Sequence, residues 1–144
     1  MLETPMSNMF DTDKLIFGIG QVSKITGVSS RQLRYWEQQN YISAIQQKKG
    51  ASRQYSMHTL IKIANIQRFL RKGFTLAVAV EKAVKVARES PIIRDFVKSQ
   101  LNEVRFESDD RAVIDFGFTD DSKKQHVLGI IDHGKTSFKI EDES

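Results

Sequence analysis

No cysteine occurs anywhere in the 144 residues. Disulfides, thiolate metal sites and thiol redox sensing are thereby excluded, and the composition suits a cytoplasmic protein. Long apolar runs are missing as well. None approaches the ~18–20 residues of a membrane span, so no membrane partner is expected. The opening "MLETPMSNMFDTDK" has no basic segment followed by an apolar one, and no secretory signal is read there. Acidic residues are scarce in one part of the chain only. Between Lys14 and Arg88 there are 14 lysines and arginines against Glu37 and Glu81 alone, whereas from Arg105 onward 6 cations face 10 carboxylates. A basic front and an acidic back point to a polyanion-binding domain followed by a segment with another job.

What is present is the composition of a globular protein. At 40% hydrophobic and 28% charged residues, the chain can bury a core, and its length suits one compact domain or a small domain with an appendage. Residues 1–15 are polar and aperiodic and read as a flexible tail. A short helix is predicted over Ile19 to Thr26, with Val22 and Ile25 on one face, and Gly27 ends it. Ser29 opens a second helix running to about Gln39. Its hydroxyl can cap free N–H groups, and Gln32 follows three residues on, as a capping box requires. Two short helices around "TGVSS" form a helix-turn-helix, an arrangement shared by DNA-binding domains and by ordinary bundles.

The faces of the second helix separate two chemistries. Leu33 and Trp36 share the core side. Arg31, Arg34, Tyr35 and Gln38 recur at i, i+3, i+4 and i+7 on the opposite stripe. Arginine offers a planar fork of donors for phosphates or guanine edges. Tyrosine adds a hydroxyl and an apolar ring. Next, "AIQQKKGASRQYS" places short extended segments around Lys48-Lys49-Gly50 and predicts a β-hairpin with a basic tip. Arg53 and Tyr55 are expected on one side of its return strand. A basic hairpin directly after a helix-turn-helix reads as a wing that grips the backbone beside the groove.

Ser56 is predicted to cap a third helix to about Lys72, with Leu60, Ile63, Ile66 and Leu70 as its buried stripe. Gly73 ends it. Thr75 caps a fourth helix, whose seam is Leu76, Val80, Ala83, Val84 and Ala87. Ser90-Pro91 reads as a break followed by a new first turn. Ile93, Phe96, Val97 and Leu101 then line one side of a segment to Val104. These stripes close the core or pair two subunits; the pattern leaves both open. After Arg105, "AVIDFGFT", "QHVLGIID" and "KTSFKIED" predict a three-stranded antiparallel meander. It is too small to bury much alone and must pack on something else. The expected fold is mostly α: a winged helix-turn-helix with following helices and a small C-terminal β meander. The expected divisions are 1–15, 16–89, a dimerisation or linker helix over 90–104, and 105–144.

Catalysis finds little to work with. His58, His126 and His133 have no metal-ligand spacing, and "GIG" at Gly18–Gly20 is no phosphate loop, because no GK[ST] follows. No metal, cofactor or enzymatic activity is expected.

The segments "FGIGQVSKITGVSSRQLRYWE", "KKGASRQYS" and "LIKIANIQRFLRKGFTL", in this order and spacing, resemble the MerR family of bacterial transcription regulators. The resemblance covers about Phe17 to Arg88. It implies a winged helix-turn-helix acting as a homodimer on an inverted repeat. It also implies distortion of the DNA between half-sites, which realigns promoter elements for RNA polymerase. Arg34 and Tyr35 match the family's DNA-contact positions on the recognition helix, and Arg53 and Tyr55 match those on the wing. Ser30, Arg31, Lys48 and Lys49 are added from face and charge. Trp36 departs from the usual second tyrosine, Pro91 interrupts the usual long dimerisation helix, and the cysteines of metal-sensing members are absent. The sequence identifies no effector.

Three function classes follow: a promoter-binding regulator, an architectural or excisionase-like recombination factor, and a module that has lost DNA binding. The exposed cations argue against the last. The first is the leading expectation, with double-stranded DNA and a second copy of the chain as partners. The terminal meander is expected to brace the pairing rather than to form an effector pocket.

Overall fold

The computed structural model describes residues 12–45 and 48–144. The tail expected over 1–15 therefore falls, up to residue 11, outside the described residues. A 3-10 turn at Thr12–Lys14 leads into strand β1, Ile16–Gly18. Helices α1, Ile19–Thr26, and α2, Ser30–Gln38, follow. Strand β2, Gln54–Ser56, precedes helices α3, Met57–Arg71, and α4, Leu76–Gln100. Strands β3, Glu103–Ser108, β4, Arg111–Phe118, β5, Gln125–Asp132, and β6, Lys135–Asp142, complete the chain. The chain divides into two compact units after Glu89, within α4.

Local chemistry sets the helix ends of the first unit. Gly27, at φ 74°, closes α1 in the left-handed region that glycine adopts freely. Ser29 Oγ accepts from Gln32 N at 3.1 Å while Ser29 N donates to Gln32 Oε1 at 3.0 Å, so the predicted capping box is formed. Ser56 Oγ accepts from Thr59 N at 3.2 Å and starts α3. Around these ends one cluster of eleven buried side chains forms the core: Val22, Val28, Leu33, Trp36, Ile42, Tyr55, Leu60, Ile63, Ile66, Ala79 and Ala83. Ile25 was expected beside Val22 but is exposed. The core lies on the Thr26 side of α1, where the buried Thr26 hydroxyl donates to Val22 O at 2.7 Å and accepts from Val28 N at 3.2 Å. On α4, Ala79 and Ala83 are buried and Val84 is exposed.

Four expectations need correction. The return strand of the wing pairs with β1, through Ile16↔Ser56, Phe17↔Tyr55 and Gly18↔Gln54. The incoming arm, where Gln46 and Gln47 lie outside the described residues, is held by Ile45 N donating to Gln54 O at 2.8 Å. Helix α4 continues through Pro91. The proline's fixed φ is helical, and it withholds one N–H while the flanking residues keep the helical course. The terminal meander has four strands, ordered β3-β4-β5-β6, because Glu103–Ser108 leaves the helical pattern earlier than expected. The fold is thus a mixture of α and β rather than mostly α. Two antiparallel sheets accompany the four α-helices among the described residues.

In the second unit, His133 and Gly134, both at positive φ, join the last two strands between the paired Asp132 and Lys135. Near the other end of the sheet a polar cluster gathers on Asp115. Its carboxylate accepts from Gly117 N at 2.7 Å and from Asn102 Nδ2 at 3.1 Å, and lies 3.2 Å from His126 Nδ1. His126 Nε2 lies 2.6 Å from Glu143 Oε2. Burial pushes the Asp115 carboxyl up, but these donors outweigh it and hold the group below its ordinary value. The bond to Asp115 raises the His126 imidazole; burial opposes this and Glu143 adds to it.

Candidate nucleic-acid interface

Helix α2 is held by two anchors. Leu33 is fully buried and Trp36 is 2% exposed. Their burial fixes the rotation of the helix, and with it the outward direction of Arg31, Arg34, Tyr35 and Gln38, all exposed. Tyr35 leaves half its surface open. An aromatic ring kept in water on a helix otherwise lined with cations suits stacking on a sugar or a thymine methyl. Ser30 is half-buried at the first turn.

The wing stands beside this face. Ala51 N donates to Lys48 O at 3.1 Å, and Gly50 takes a φ of 88°, so the tip turns tightly and leaves Lys48 and Lys49 exposed. Arg53 Nε donates to Glu37 Oε2 at 2.6 Å. Glu37 is the single acid of α2, and its partner is the wing. That pairing ties the hairpin to the recognition helix and neutralises one cation, while the other guanidinium N–H groups of Arg53 keep their donor capacity. Arg31, Arg34, Lys48 and Lys49 have no carboxylate partner among the described residues. Their charge is therefore uncompensated on this side.

Tyr55 is the site residue whose direction the sequence misjudges. It is 0% exposed, and its buried hydroxyl has no hydrogen-bond partner among the described residues. Pairing with Phe17 across the ladder turns its ring inward, whereas Arg53 lies before the strand and turns out to Glu37. Burial pushes the phenol above its ordinary value, with Glu37 adding to the effect and Arg53 and Arg34 opposing it. Tyr55 therefore belongs to the core of the first unit. Glu37 was the residue that sequence reasoning overlooked as a functional part. A lone acid in a basic helix was the available signal.

The profile of the MerR helix-turn-helix family of regulatory proteins matches residues 17–83. The chain belongs to the MerR family. Among its relatives, the HTH-type transcriptional regulator GlnR of Bacillus cereus is 32% identical over 89 residues, covering 62% of this chain and 67% of the relative. GlnR of Bacillus anthracis matches to the same extent. The HTH-type transcriptional regulator TnrA of Bacillus subtilis is 30% identical over 94 residues, covering 62% of this chain and 84% of the relative. As a MerR-family member the protein is a DNA-binding transcription regulator and not an enzyme. The match to the MerR profile contains α2, the wing and α3 and stops before the four-stranded sheet. Among the described residues no helix is long and apolar enough to cross a membrane, and no cluster of three or more potential ligands is arranged to hold a metal.

Proposed function

We propose that the protein binds an inverted repeat in a promoter as a homodimer, reading each half-site through α2 and gripping the flanking backbone with the wing. The observation that carries this reading is the set of exposed cations on α2 and the wing, Arg31, Arg34, Lys48 and Lys49, with Arg53 joining the two elements through Glu37 and the ring of Tyr35 open on α2. Arg31, Arg34 and Tyr35 meet base edges or phosphates in the major groove; Ser30 donates to a phosphate at the helix start; the wing cations meet the adjacent backbone. Tyr55 serves from the core of the first unit. In this reading 16–89 is the DNA-binding domain.

Pairing uses the exposed apolar side chains of the second half of α4. Ile92, Ile93, Phe96 and Val97 all lie open there, and such a stripe gains by burial against a second helix. Two half-sites engaged together gain effective concentration over one. Distortion of the DNA between them then sets the spacing that RNA polymerase meets, and the protein acts in the cytoplasm, where that DNA lies. Mapping binding sites across the source genome tests the reading. Sites in promoter spacers are the expected result; sites confined to recombination attachment sequences would replace it with an architectural role. Sedimentation of Phe96→Lys against the unaltered protein tests the helix pairing, with a weaker dimer expected.

A further inference from the structure

The four-stranded sheet sorts its residues by face. Its register sets Val104, Ile114, Gly129 and Phe138 in one row, and Phe106, Ala112, Ile131 and Thr136 in the next. Ile140 lies on the same side, opposite Val127. No position in these rows is charged. The intervening rows, which a period of two turns to the other face, carry Glu103, Arg105, Asp115 and Lys139 together with Val113 and Leu128. The charged face is the one that buries Val113 and Leu128, each 5% exposed, while on the uncharged face Phe106 is 81% exposed, Phe138 79% and Ile140 58%. That inverts the pattern of a sheet with one face in water, whose open side is polar.

The size and shape of this face select its occupant. At about 200 Å² for a phenylalanine, Phe106 and Phe138 alone leave roughly 300 Å² of ring surface open. Ile140, Ile131 and Val104 bring the apolar patch to roughly 500 Å², the upper range for a monomer and, with its rim, near the ~800 Å² each partner contributes to a standard interface. The absence of charge disfavours a polyanion or a charged peptide, because nothing on the face answers either sign. Gly129 lies at the centre. A Cβ there would meet the Phe116 ring at 3.1 Å, so the glycine lets that ring lie close against the strand, and a shallow hollow remains beside it. That hollow, of about 260 Å³, is bordered by Ile114, Phe116, Ile131 and Phe138. A face that carries both a protruding ring and an apolar hollow is self-complementary under a two-fold axis, where each copy's ring enters the other's hollow.

We infer that the uncharged face of the β3–β6 sheet packs sheet-on-sheet against the same face of a second copy of this chain. The inference rests on the homodimer reading for the identity of the partner, but it uses a surface separate from α4. Sedimentation velocity of the full chain over a concentration series tests it, with Phe138→Lys, Phe138→Glu and, as a control on the opposite face, Ser137→Glu. Both Phe138 variants are expected to weaken dimerisation at least about tenfold, irrespective of the sign introduced, while Ser137→Glu dimerises like the unaltered protein. Thermal melts and binding to a single half-site are expected to stay the same in all three, since position 138 is open in the monomer. Unchanged dimerisation in both Phe138 variants overturns the inference and leaves the face to another occupant. Equal weakening by Ser137→Glu overturns it too. An unaltered protein that is monomeric at every concentration removes the homodimer reading itself, and a dimer lost in Phe96→Lys but intact in both Phe138 variants keeps that reading while discarding the sheet interface.

Discussion

Residues up to Glu89 gather eleven buried side chains into one cluster that includes Trp36 and Tyr55. From Ser90 onward, among the described residues, only Val113 and Leu128 are buried hydrophobics, and Phe106 and Phe138 stand open. The first unit closes a core among its own helices. The second spends eight-residue strands on a sheet with one apolar face uncovered. A four-stranded sheet has two faces to cover and few residues to cover them with. On the function and the sheet pairing proposed above, the contrast divides the labour of the molecule: the part with a closed core carries the cations for DNA, and the part with an open face carries the surface for association.

The largest effect that sharpens this comparison is expected inside the closed core. Trp36→Ala is expected to destabilise the first unit by about 3–5 kcal/mol, as for other buried large aromatics. The melt is best followed by circular dichroism, because Trp36 is the chain's one tryptophan. Arg34→Ala, two residues away and outward in direction, is expected to leave that melt in place and to cost about 1–3 kcal/mol in DNA binding. Titrations on an inverted repeat read the second effect. An unfolded Arg34→Ala beside a stable Trp36→Ala would invert the assignment of faces.

A smaller effect concerns the wing. Each phosphate contact releases counterions and steepens the salt dependence by about 0.9 in the slope of log affinity against log salt. Lys48→Ala combined with Lys49→Ala is expected to make that slope shallower by about 2 if both touch phosphate, with little change in base preference. A salt-independent affinity in the unaltered protein would remove the phosphate contacts from the account.

The smallest effect lies in the second unit, where pH acts through a partly exposed cluster. His126 is held above its ordinary value of 6.5 by Asp115. Its contribution to stability is therefore whole below that value and is lost as pH rises through the raised one. Asp115 is held below its ordinary 3.8, so its contribution is present above that value and is lost as pH falls through the lowered one. The protection of amides in β4 and β5, after correction for the intrinsic rise of exchange with pH, is expected to fall as pH rises through the raised His126 value, and His126→Asn is expected to flatten the dependence. The first unit serves as the internal comparison and is expected to show no matching change.

Much of the first unit was legible from local signals. Gly27 and the Ser29–Gln32 capping box act within a few residues, and α1 occupies the expected Ile19–Thr26 while α2 starts within one residue of the expected position. The outward placement of Arg31 and Arg34 follows from their angle to Leu33 and Trp36 on one helix. The β1 pairing was hidden because its partners lie far apart in sequence, and a three-residue strand has too little alternation to announce itself. Glu103–Ser108 alternates well, but it directly follows a helix whose apolar stripe masks the change of period.

By itself, then, the sequence determined where α1, α2 and α3 begin and end to within a residue or so, which side of α2 is polar, and that the front of the chain is basic, because caps, periodicity and charge are local properties. Only the tertiary structure decided that Tyr55 turns inward while Arg53 turns outward to Glu37, and that the sheet leaves its uncharged face open. Both outcomes depend on which distant segment occupies each side of a strand, and a period of two sets the alternation without saying which side is covered.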